Sequence, residues 1–255
     1  MKKMIIATMA TGLVASMASA EVAVTADIAS AYVFRGITVV DDLVVQPGIE
    51  VGDFGLPEEY GAISLGVWGS TAPFEDTYNN LHETDWYLSY ALPTIISNLD
   101  LSVTFTEYQY TLAPGEQELG FGAAYALADA VSVGGSVNFM VDDENTATED
   151  QVYFDFFADY SLELSDKTSA NVSGLIGFMI QGDGNDTAGL DDGFNQAEVS
   201  GALSHALNDM WSIGASLTWI TQLDDNVLPD NTAAGNFGNG HDRHLVAMFS
   251  IGCEM

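Results

Sequence analysis

The stretch Ile28-Ala-Ser-Ala-Tyr-Val-Phe-Arg-Gly-Ile37 decides how the rest of the chain is interpreted. With the residues before it, the stretch alternates between apolar side chains and small or polar ones. Successive residues of a β-strand point to opposite faces, so one face would be apolar and end in the aromatic pair Tyr32 and Phe34. The other face would be small or polar and end in the guanidinium of Arg35. We therefore expect a first β-strand here, with Gly36 permitting the turn that follows it.

Further segments alternate in the same way, which gives twelve in all. Each has roughly the ~9–11 residues that a tilted strand needs to cross a bilayer. An apolar residue at every second position, with Gly, Ser, Thr, Asn and acids between, is typical of barrels that face lipid outside and water inside. Aromatic residues near segment ends would form interfacial belts: Tyr32, Phe34, Trp86, Tyr90, Tyr160, Trp211 and Trp219. The segments are 22–35, 43–54, 58–72, 81–92, 99–111, 116–127, 131–141, 151–162, 169–181, 196–207, 211–222 and 244–255.

The connections favour a barrel over a soluble sandwich. In the second half of the chain, short connections alternate with longer acidic ones that are rich in Gly and Asn: 128–130, 163–168 and 208–210 against 142–150, 182–195 and 223–242. Outer-membrane barrels have short periplasmic turns and long outer loops. A soluble β-sandwich also alternates faces and is the competing architecture, but it needs neither long strands nor aromatic ends. The predicted fold class is all-β, a transmembrane antiparallel up-and-down β-barrel of about 12 strands.

The first 20 residues have the pattern of a secretory signal peptide. Lys2 and Lys3 form a basic start, an apolar run follows, and Ala18-Ser19-Ala20 is a small-residue cleavage site. The apolar run is shorter than the ~20 residues of a spanning helix. We therefore expect a signal peptide at 1–20 and an outer-membrane β-barrel domain at 21–255. The expected location is the outer membrane of a Gram-negative bacterium, after signal-peptide cleavage.

The chain is strongly acidic, with 37 Asp and Glu against 5 Lys and Arg and a formal net charge of −32 at pH 7. Without the leader, the basic residues are Arg35, Lys167 and Arg243. No basic patch is available for nucleic acid, so DNA or RNA binding is excluded. The charge either serves solubility in a salty medium or creates a field that attracts cations. Cys253 is the single cysteine, so no internal disulfide can form.

Several blocks of the chain resemble one family. Ser30-Ala-Tyr-Val-Phe-Arg-Gly-Ile37, followed by Val44-Val-Gln-Pro-Gly-Ile49, resembles the opening of the TorF-type porins, uncharacterised proteobacterial outer-membrane proteins. Gly66-Val-Trp-Gly-Ser70 resembles their second block, and Glu83-Thr-Asp85 and Glu118-Leu-Gly-Phe-Gly-Ala-Ala-Tyr125 resemble later strands. The match covers roughly residues 25 to 126. The resemblance implies an outer-membrane barrel with a pore, and it adds little about the solute.

Charged residues at inward positions are the candidate pore-lining residues. Arg35 either places a positive charge in a negative pore or pairs with an inward acid, with Asp27, Glu50 and Glu83 as candidate partners, because an unpaired buried charge is costly. A ring of acids favours cations in a pore, although it can equally be a hydrated wall. The candidates are Arg35, Asp27, Glu50, Glu83, Asp85, Asp100, Glu118, Asp155, Asp159 and Glu198.

Other chemistry is weakly indicated. Residues 182–193 supply oxygen ligands and glycines but not the spacing of an EF-hand, so we interpret them as a solvated outer loop, with calcium binding as the alternative. His241 and His244 would face opposite sides of a strand, which disfavours a zinc pair. We expect no catalytic residue, no cofactor and no metal site.

The predicted function is a porin-like channel for passive diffusion of small solutes, with a preference for cations. The expected partners are outer-membrane lipid and small solutes or ions, and a homo-oligomer is left open. The alternative is a plugged outer-membrane barrel with a structural or adhesive role. Barrels of about eight strands are filled by side chains and much larger ones are open, so twelve strands leave both possible. The bulky residues that could fill the lumen are Trp68, Tyr87, Tyr108, Tyr110, Tyr153, Phe157 and Met248.

Overall fold

Alternating residues form long antiparallel strands along the whole described chain. The structure, a computed structural model, describes residues 22–52, 54–73, 82–111, 113–141, 148–182, 190–228 and 243–255. The strands are β1 (Val22–Ala29), β2 (Tyr32–Phe34), β3 (Ile37–Val40), β4 (Val44–Val51), β5 (Ala62–Thr71), β6 (His82–Ala91), β7 (Leu99–Tyr110), β8 (Glu116–Ala128), β9 (Val131–Met140), β10 (Val152–Ser165), β11 (Thr168–Ile180), β12 (Gly193–Ala206), β13 (Trp211–Gln222) and β14 (Arg243–Glu254). A 3-10 helix covers Glu58–Tyr60. Among the described residues, no helix has the length and apolar character to cross a membrane.

Twelve of these strands close into one antiparallel barrel. From β4 to β14, each strand pairs with the strands next to it in sequence. Strand β1 closes the barrel because it pairs with β14 on one side and β4 on the other, with Ile28 opposite both Phe249 and Val45. The prediction of a 12-stranded antiparallel up-and-down barrel is therefore confirmed. Strands β2 and β3 pair only with each other, as a separate two-stranded sheet.

The barrel wall, meaning its twelve strands, has its apolar side outside and its polar side inside. Large apolar side chains are exposed on the outer face, among them Phe156, which is 60% exposed. The inner face carries buried polar side chains, among them Asp155, which is 1% exposed. This is the reverse of a water-soluble protein, in which acids are almost never fully buried unless paired. The outer surface therefore suits an apolar surrounding.

The two ends of the barrel differ in their connections. One end, which we call the turn end, carries the connections 52–61, 92–98, 129–130, 166–167 and 207–210. At the opposite end, the loop end, strands β1, β5, β7, β9, β11 and β13 end and strands β4, β6, β8, β10, β12 and β14 begin. The chain enters β1 from the turn end and leaves β14 at the same end. The shortest connections lie at the turn end, as in outer-membrane barrels whose N-terminus is periplasmic.

The first predicted strand is wrong beyond Ala29. Strand β1 stops there, and the chain leaves the wall and folds back as the β2–β3 hairpin. Arg35 and Gly36 have φ values of 49° and 83°, and Phe34 is paired with Ile37 across them. Two successive residues with positive φ form the type I′ turn that suits a two-residue hairpin connection. The alternation up to Arg35 is real, but it belongs to two different sheets.

Candidate functional site: the barrel interior

Residues 31–42, which we call the luminal hairpin, cross the interior of the barrel. The hairpin starts and ends beside β1 and β4, which are neighbours in the wall. In the strand order of the barrel, β9 and β10 lie directly opposite them. The tip of the hairpin nevertheless contacts Tyr153 on β10 and Glu118 on β8. The hairpin therefore spans the lumen from one wall to the other, near the loop end.

Arg35 fastens this tip to the far wall. Its Nη2 lies 2.7 Å from Oε2 of Glu118, and both side chains are buried. The guanidinium also lies between two aromatic rings, 4.7 Å from the centroid of Phe34 and 4.3 Å from that of Tyr153. Burial by itself lowers the pKa of Arg35, but the attraction of Glu118 reverses this and raises the pKa above its ordinary value. Arg35 is therefore protonated, and its charge is balanced by Glu118. It anchors the tip and is not a free positive charge in the lumen.

The expected partners of Arg35 are wrong. A wall strand that carried Arg35 would place Asp27, Glu50 and Glu83 on the same or a neighbouring strand. Because the chain leaves the wall after Ala29, the guanidinium reaches across the lumen to Glu118 instead. The prediction that Arg35 is paired is correct, and the choice of partner follows from the hairpin.

The backbone of the tip is also bound by side chains of β12 and β13. Nδ2 of Asn195 donates to the carbonyl oxygen of Arg35 at 2.9 Å. Nε2 of Gln222 donates to the carbonyl oxygen of Gly36, also at 2.9 Å. A Cβ added at Gly36 would lie 2.9 Å from Oε1 of Gln196, so only glycine fits this close approach without a shift.

The β2 side of the hairpin packs on the strands next to its root. The ring of Tyr32 lies 5.6 Å from the ring of Trp68 on β5. Its hydroxyl is hydrogen-bonded to Glu83 on β6. Burial raises the pKa of Tyr32 well above its ordinary value, and the charges of Glu83 and Asp85 raise it further, so Tyr32 stays a neutral donor. Phe34 makes an edge contact with Tyr108 on β7 at 6.0 Å. Neither aromatic residue lies in an outer belt, which corrects their predicted position.

The β3 side of the hairpin packs on the opposite part of the wall. Ile37 contacts a buried apolar cluster of Tyr153, Met179, Val227 and Leu228. Oγ1 of Thr38 lies 3.4 Å from Nδ1 of His244. Nε2 of the same imidazole lies 3.5 Å from a carboxylate oxygen of Asp41, at the base of the hairpin. The two sides of the hairpin are therefore attached to different halves of the barrel.

The predicted acids do not form one ring. Five of them lie near the hairpin and are buried: Glu83, Asp85, Glu118, Asp155 and Glu198. Asp27 is buried near the root of the hairpin, on β1. Glu50 and Asp159 are partly buried and lie toward the turn end. Asp100 is exposed at the turn end itself, so it is not part of the group around the hairpin.

Most acids near the hairpin have a donor from the wall. The hydroxyl of Tyr108 donates to Glu118 at 3.2 Å, and Nε2 of Gln196 donates to Glu198 at 2.7 Å. Asp155 accepts from the backbone nitrogen of Ser136 at 3.1 Å and from its hydroxyl. Oδ1 of Asp85 has no hydrogen-bond partner among the described residues. The lumen at this level therefore contains more acid groups than Arg35 alone can neutralise.

Two of the bulky inward residues lie against the wall rather than in the lumen. A Cβ added at Gly66 would be 2.0 Å from Cζ of Tyr87, the residue paired with it on the next strand. A Cβ added at Gly134 would be 2.4 Å from Cζ of Phe157, again its cross-strand partner. These rings therefore lie flat over glycines. The hydroxyl of Tyr87 donates to Glu50 at 2.7 Å, which fixes that ring against the wall.

Small polar side chains line the inner face at mid-height and toward the turn end. The hydroxyl of Thr218 donates to Ser200 at 2.9 Å, and Nδ2 of Asn171 donates to Ser161 at 3.2 Å. Such side chains project less far from the wall than Tyr or Glu.

Sequence reasoning missed the luminal hairpin and one acid. The signal for the hairpin was present: Arg35 and Gly36 stand between two short β-prone runs, Tyr32–Phe34 and Ile37–Val40. The missed acid is Glu116, which is buried on β8 two residues before Glu118 and accepts from the hydroxyl of Tyr110 at 3.1 Å. Because residues i and i+2 share a face of a strand, the inward position of Glu118 already predicts that Glu116 also faces the lumen.

Some predictions lie outside the described residues. They are the signal peptide, residues 183–189 of the acidic loop considered for calcium, and His241. In the part of the chain that the structure describes, no group of three or more His, Cys, Asp or Glu is arranged to hold a metal ion.

The chain resembles solved outer-membrane channels in its fold. No family model matches it, and no curated protein matches its sequence. The KdgM porin has a TM-score of 0.53 at 7% identity, over 92% of this chain and 98% of that one. The NanC porin gives the same values. The COG4313 outer membrane channel from Pseudomonas putida F1 has a TM-score of 0.57 at 9% identity, over 94% and 97% of the two chains. The chain thus shares the barrel fold of outer-membrane porins over nearly its whole described length.

Proposed function

We propose that the chain is an outer-membrane channel through which small solutes diffuse passively, with a preference for cations. The observation that carries the proposal is the group of acids buried around the luminal hairpin, next to an Arg35 that Glu118 already neutralises. Acid groups lining a pore favour cations and disfavour anions.

The location follows from the outer surface and the leader. Exposed apolar side chains on the barrel exterior, such as Val199 and Leu203 on β12, suit a lipid environment. The signal-peptide pattern at 1–20 supports export, and together these features support the outer membrane of a Gram-negative bacterium. The blocks that resemble the TorF-type porins support the same assignment, and we propose membership of that family on those residues.

The charge of the lumen narrows the class of solute. One solved KdgM porin structure is in complex with disordered oligogalacturonate, which is a chain of carboxylate-bearing sugars. In the present chain, the buried acids around the luminal hairpin, Glu83, Asp155 and Glu198 among them, would repel such an anion. We therefore expect small cations and neutral polar molecules to pass, and oligomeric anions to be excluded.

The luminal hairpin is also the feature that would account for the alternative function, a plugged barrel. A barrel closed by this hairpin would have a structural or adhesive role and would conduct nothing. The same measurement separates the two functions, because a plugged barrel and an open channel differ in current and not in fold.

Single-channel recording of the refolded mature protein in a planar bilayer, with a KCl gradient across it, tests the proposal. Stepwise currents that reverse toward the potassium equilibrium potential are expected. The double variant Glu83→Gln with Asp85→Asn should shift the reversal potential toward zero. Glu163→Gln, on the exposed end of β10, is the matched control and should leave it unchanged. If heat-dependent gel mobility shows that the protein is folded and it still gives no current, the result would instead support the plugged barrel.

A further inference from the structure

We propose that the luminal hairpin is the gate of this channel, and that it opens when Arg35 leaves Glu118. The inference rests on the proposed channel function and goes beyond it, because it assigns a moving part and the contact that keeps it closed.

The luminal hairpin is attached to the barrel by side chains. Its two strands form their own sheet, and residues 32–40 make no backbone-to-backbone hydrogen bond to the wall among the described residues. The last such bond before the hairpin runs from the nitrogen of Ser30 to the oxygen of Ala247 on β14, at 2.9 Å. An isolated two-stranded hairpin is marginally stable, so its position depends on the contacts at its tip and sides. Release of those contacts breaks no strand pairing of the barrel.

The root of the hairpin is built so that the barrel is complete without it. Ala29 at the end of β1 is paired with Val44 at the start of β4, so the wall is already closed where the hairpin leaves it. Two short segments outside any strand, 30–31 and 41–43, join β2 and β3 to these wall residues. They are the hinges about which residues 32–40 move, because loop residues next to strand ends absorb changes in φ and ψ.

The closed position leaves polar atoms of the far wall unsatisfied. Oδ1 of Asn195 and Oε1 of Gln196 are buried at the hairpin tip and have no hydrogen-bond partner among the described residues. A buried acceptor without a partner disfavours the state in which it is buried. Withdrawal of the tip admits water to both oxygens and rehydrates Arg35 and Glu118, which opposes the contacts that hold the hairpin closed.

Trypsin cleaves after Lys and Arg, so its rate of cleavage after Arg35 measures how accessible the hairpin tip is. This measurement is independent of any current through the barrel. In the wild-type barrel, Arg35 is buried, whereas Lys167 lies exposed in the turn between β10 and β11. Limited trypsin digestion in detergent, followed by mass spectrometry, should therefore cut after Lys167 and spare Arg35. Glu118→Gln should raise the rate of cleavage after Arg35 at least tenfold, with Lys167 as the internal reference and Glu163→Gln as the matched control. An unchanged rate at Arg35 in Glu118→Gln would overturn the proposal.

A reversible tether tests whether movement of the hairpin gates the current. A Cβ added at Gly36 would lie 3.0 Å from Cβ of Gln196, close to the ~3.5–4.5 Å of a disulfide. Gly36→Cys with Gln196→Cys should therefore crosslink, in a Cys253→Ala background that removes the native thiol. The oxidised variant should lose the large conductance level, and a reductant should restore it, while each single cysteine variant should not respond to the reductant. Equal currents before and after reduction would show a static constriction and overturn the gate.

Replacement of residues 30–43 by Asn-Gly separates the gate from the channel. Because Ala29 faces Val44, two residues suffice to join β1 to β4 as a type I′ turn. A folded variant of this kind should conduct continuously, with a larger unitary current and fewer closures than the wild type. Continuous current in the replacement variant, together with a disulfide tether that does not change the current, would support the channel function and contradict the gate. A folded replacement variant with no current would discard both.

Discussion

The barrel wall and the luminal hairpin are both antiparallel β-structure with similar alternating sequences, but they are fastened differently. In the wall, each strand is joined to two neighbours by a continuous backbone ladder, such as β12 between β11 and β13. The hairpin has one internal pairing of three residue pairs and is otherwise held by side chains such as Arg35 and Gln222. Removal of one side chain should therefore leave the wall intact and release the hairpin.

This difference also divides the sequence changes that matter. On the wall, the face on which a side chain lies decides its effect, because one side meets the apolar surroundings and the other meets the lumen. On the hairpin, the effect of a substitution depends on which of a few side-chain contacts it removes, because no backbone hydrogen-bond ladder to the wall replaces them.

The largest effect is expected from Glu118→Leu, which leaves the guanidinium of Arg35 buried without a counter-charge. Breaking one partner of a buried ion pair destabilises by about 3–5 kcal/mol. The loss should appear as faster hydrogen exchange at residues 32–40, by roughly 100-fold or more, since each 1.4 kcal/mol is about tenfold. Exchange in β12 should not change. The double variant Arg35→Met with Glu118→Leu should recover much of the protection, and failure to do so would mean that the pair is not what holds the tip.

A charge on the outer face should have the next largest effect. Val199 lies near the middle of β12 and is exposed. Val199→Arg should lower the free energy of unfolding in liposomes by ~2–4 kcal/mol, because the side chain would face the hydrocarbon region. Leu207→Arg, at the turn end of the same region, should cost only about 0–1 kcal/mol. Equal, small effects at both positions, measured by urea titration, would contradict a lipid-facing exterior.

Gly66→Ala should have a smaller effect that spreads into the lumen. The added methyl group would overlap Tyr87, which must swing away from the wall and leave Glu50. Overpacking of this kind typically costs ~1–3 kcal/mol, and the displaced ring should also reduce the unitary conductance. Gly201→Ala is the matched control, because a Cβ there meets no atom within 4 Å. The interpretation fails if both variants conduct equally well.

The smallest effect is expected from Gly36→Ala at the hairpin turn. Gly36 has a φ of 83°, and the left-handed conformation costs roughly 1–2 kcal/mol in a residue with a side chain. The methyl group would also press on Gln196. Exchange at residues 32–40 should rise by about tenfold, and the barrel should keep its heat-dependent gel mobility. An unchanged exchange rate would show that the turn geometry does not limit the position of the hairpin.

The sequence was sufficient for the wall because a closed sheet with two different faces imposes a period of two on every strand. Each predicted segment from 58–72 onward corresponds to one strand, for example 169–181 to β11 (Thr168–Ile180) and 211–222 to β13 (Trp211–Gln222). The inward or outward side of residues such as Val199 and Glu198 followed from the same parity. Lipid and lumen select different side chains, so this signal recurs along the chain.

The luminal hairpin could not be derived from that signal. Tyr32 and Phe34 continue the alternation of β1, and parity contains no information on which sheet a residue has joined. The partners of Arg35 depend on contacts between residues far apart in sequence, such as Asn195. A pattern of period two describes local conformation, whereas the path of the chain across the lumen is a tertiary property.

The reach of the hairpin to the far wall also has a consequence for how the molecule assembles. Arg35, Gly36 and Thr38 lie early in the chain, yet three of the side chains that bind them, Asn195, Gln222 and His244, are 160, 186 and 206 residues away in sequence. Contacts with such large sequence separation form late, because loop closure must come first. A folding intermediate that lacks β12 to β14 therefore offers the hairpin only the contacts of the earlier strands, such as Glu118 and Tyr153. The hairpin gains its remaining contacts only after the last strands have joined the barrel.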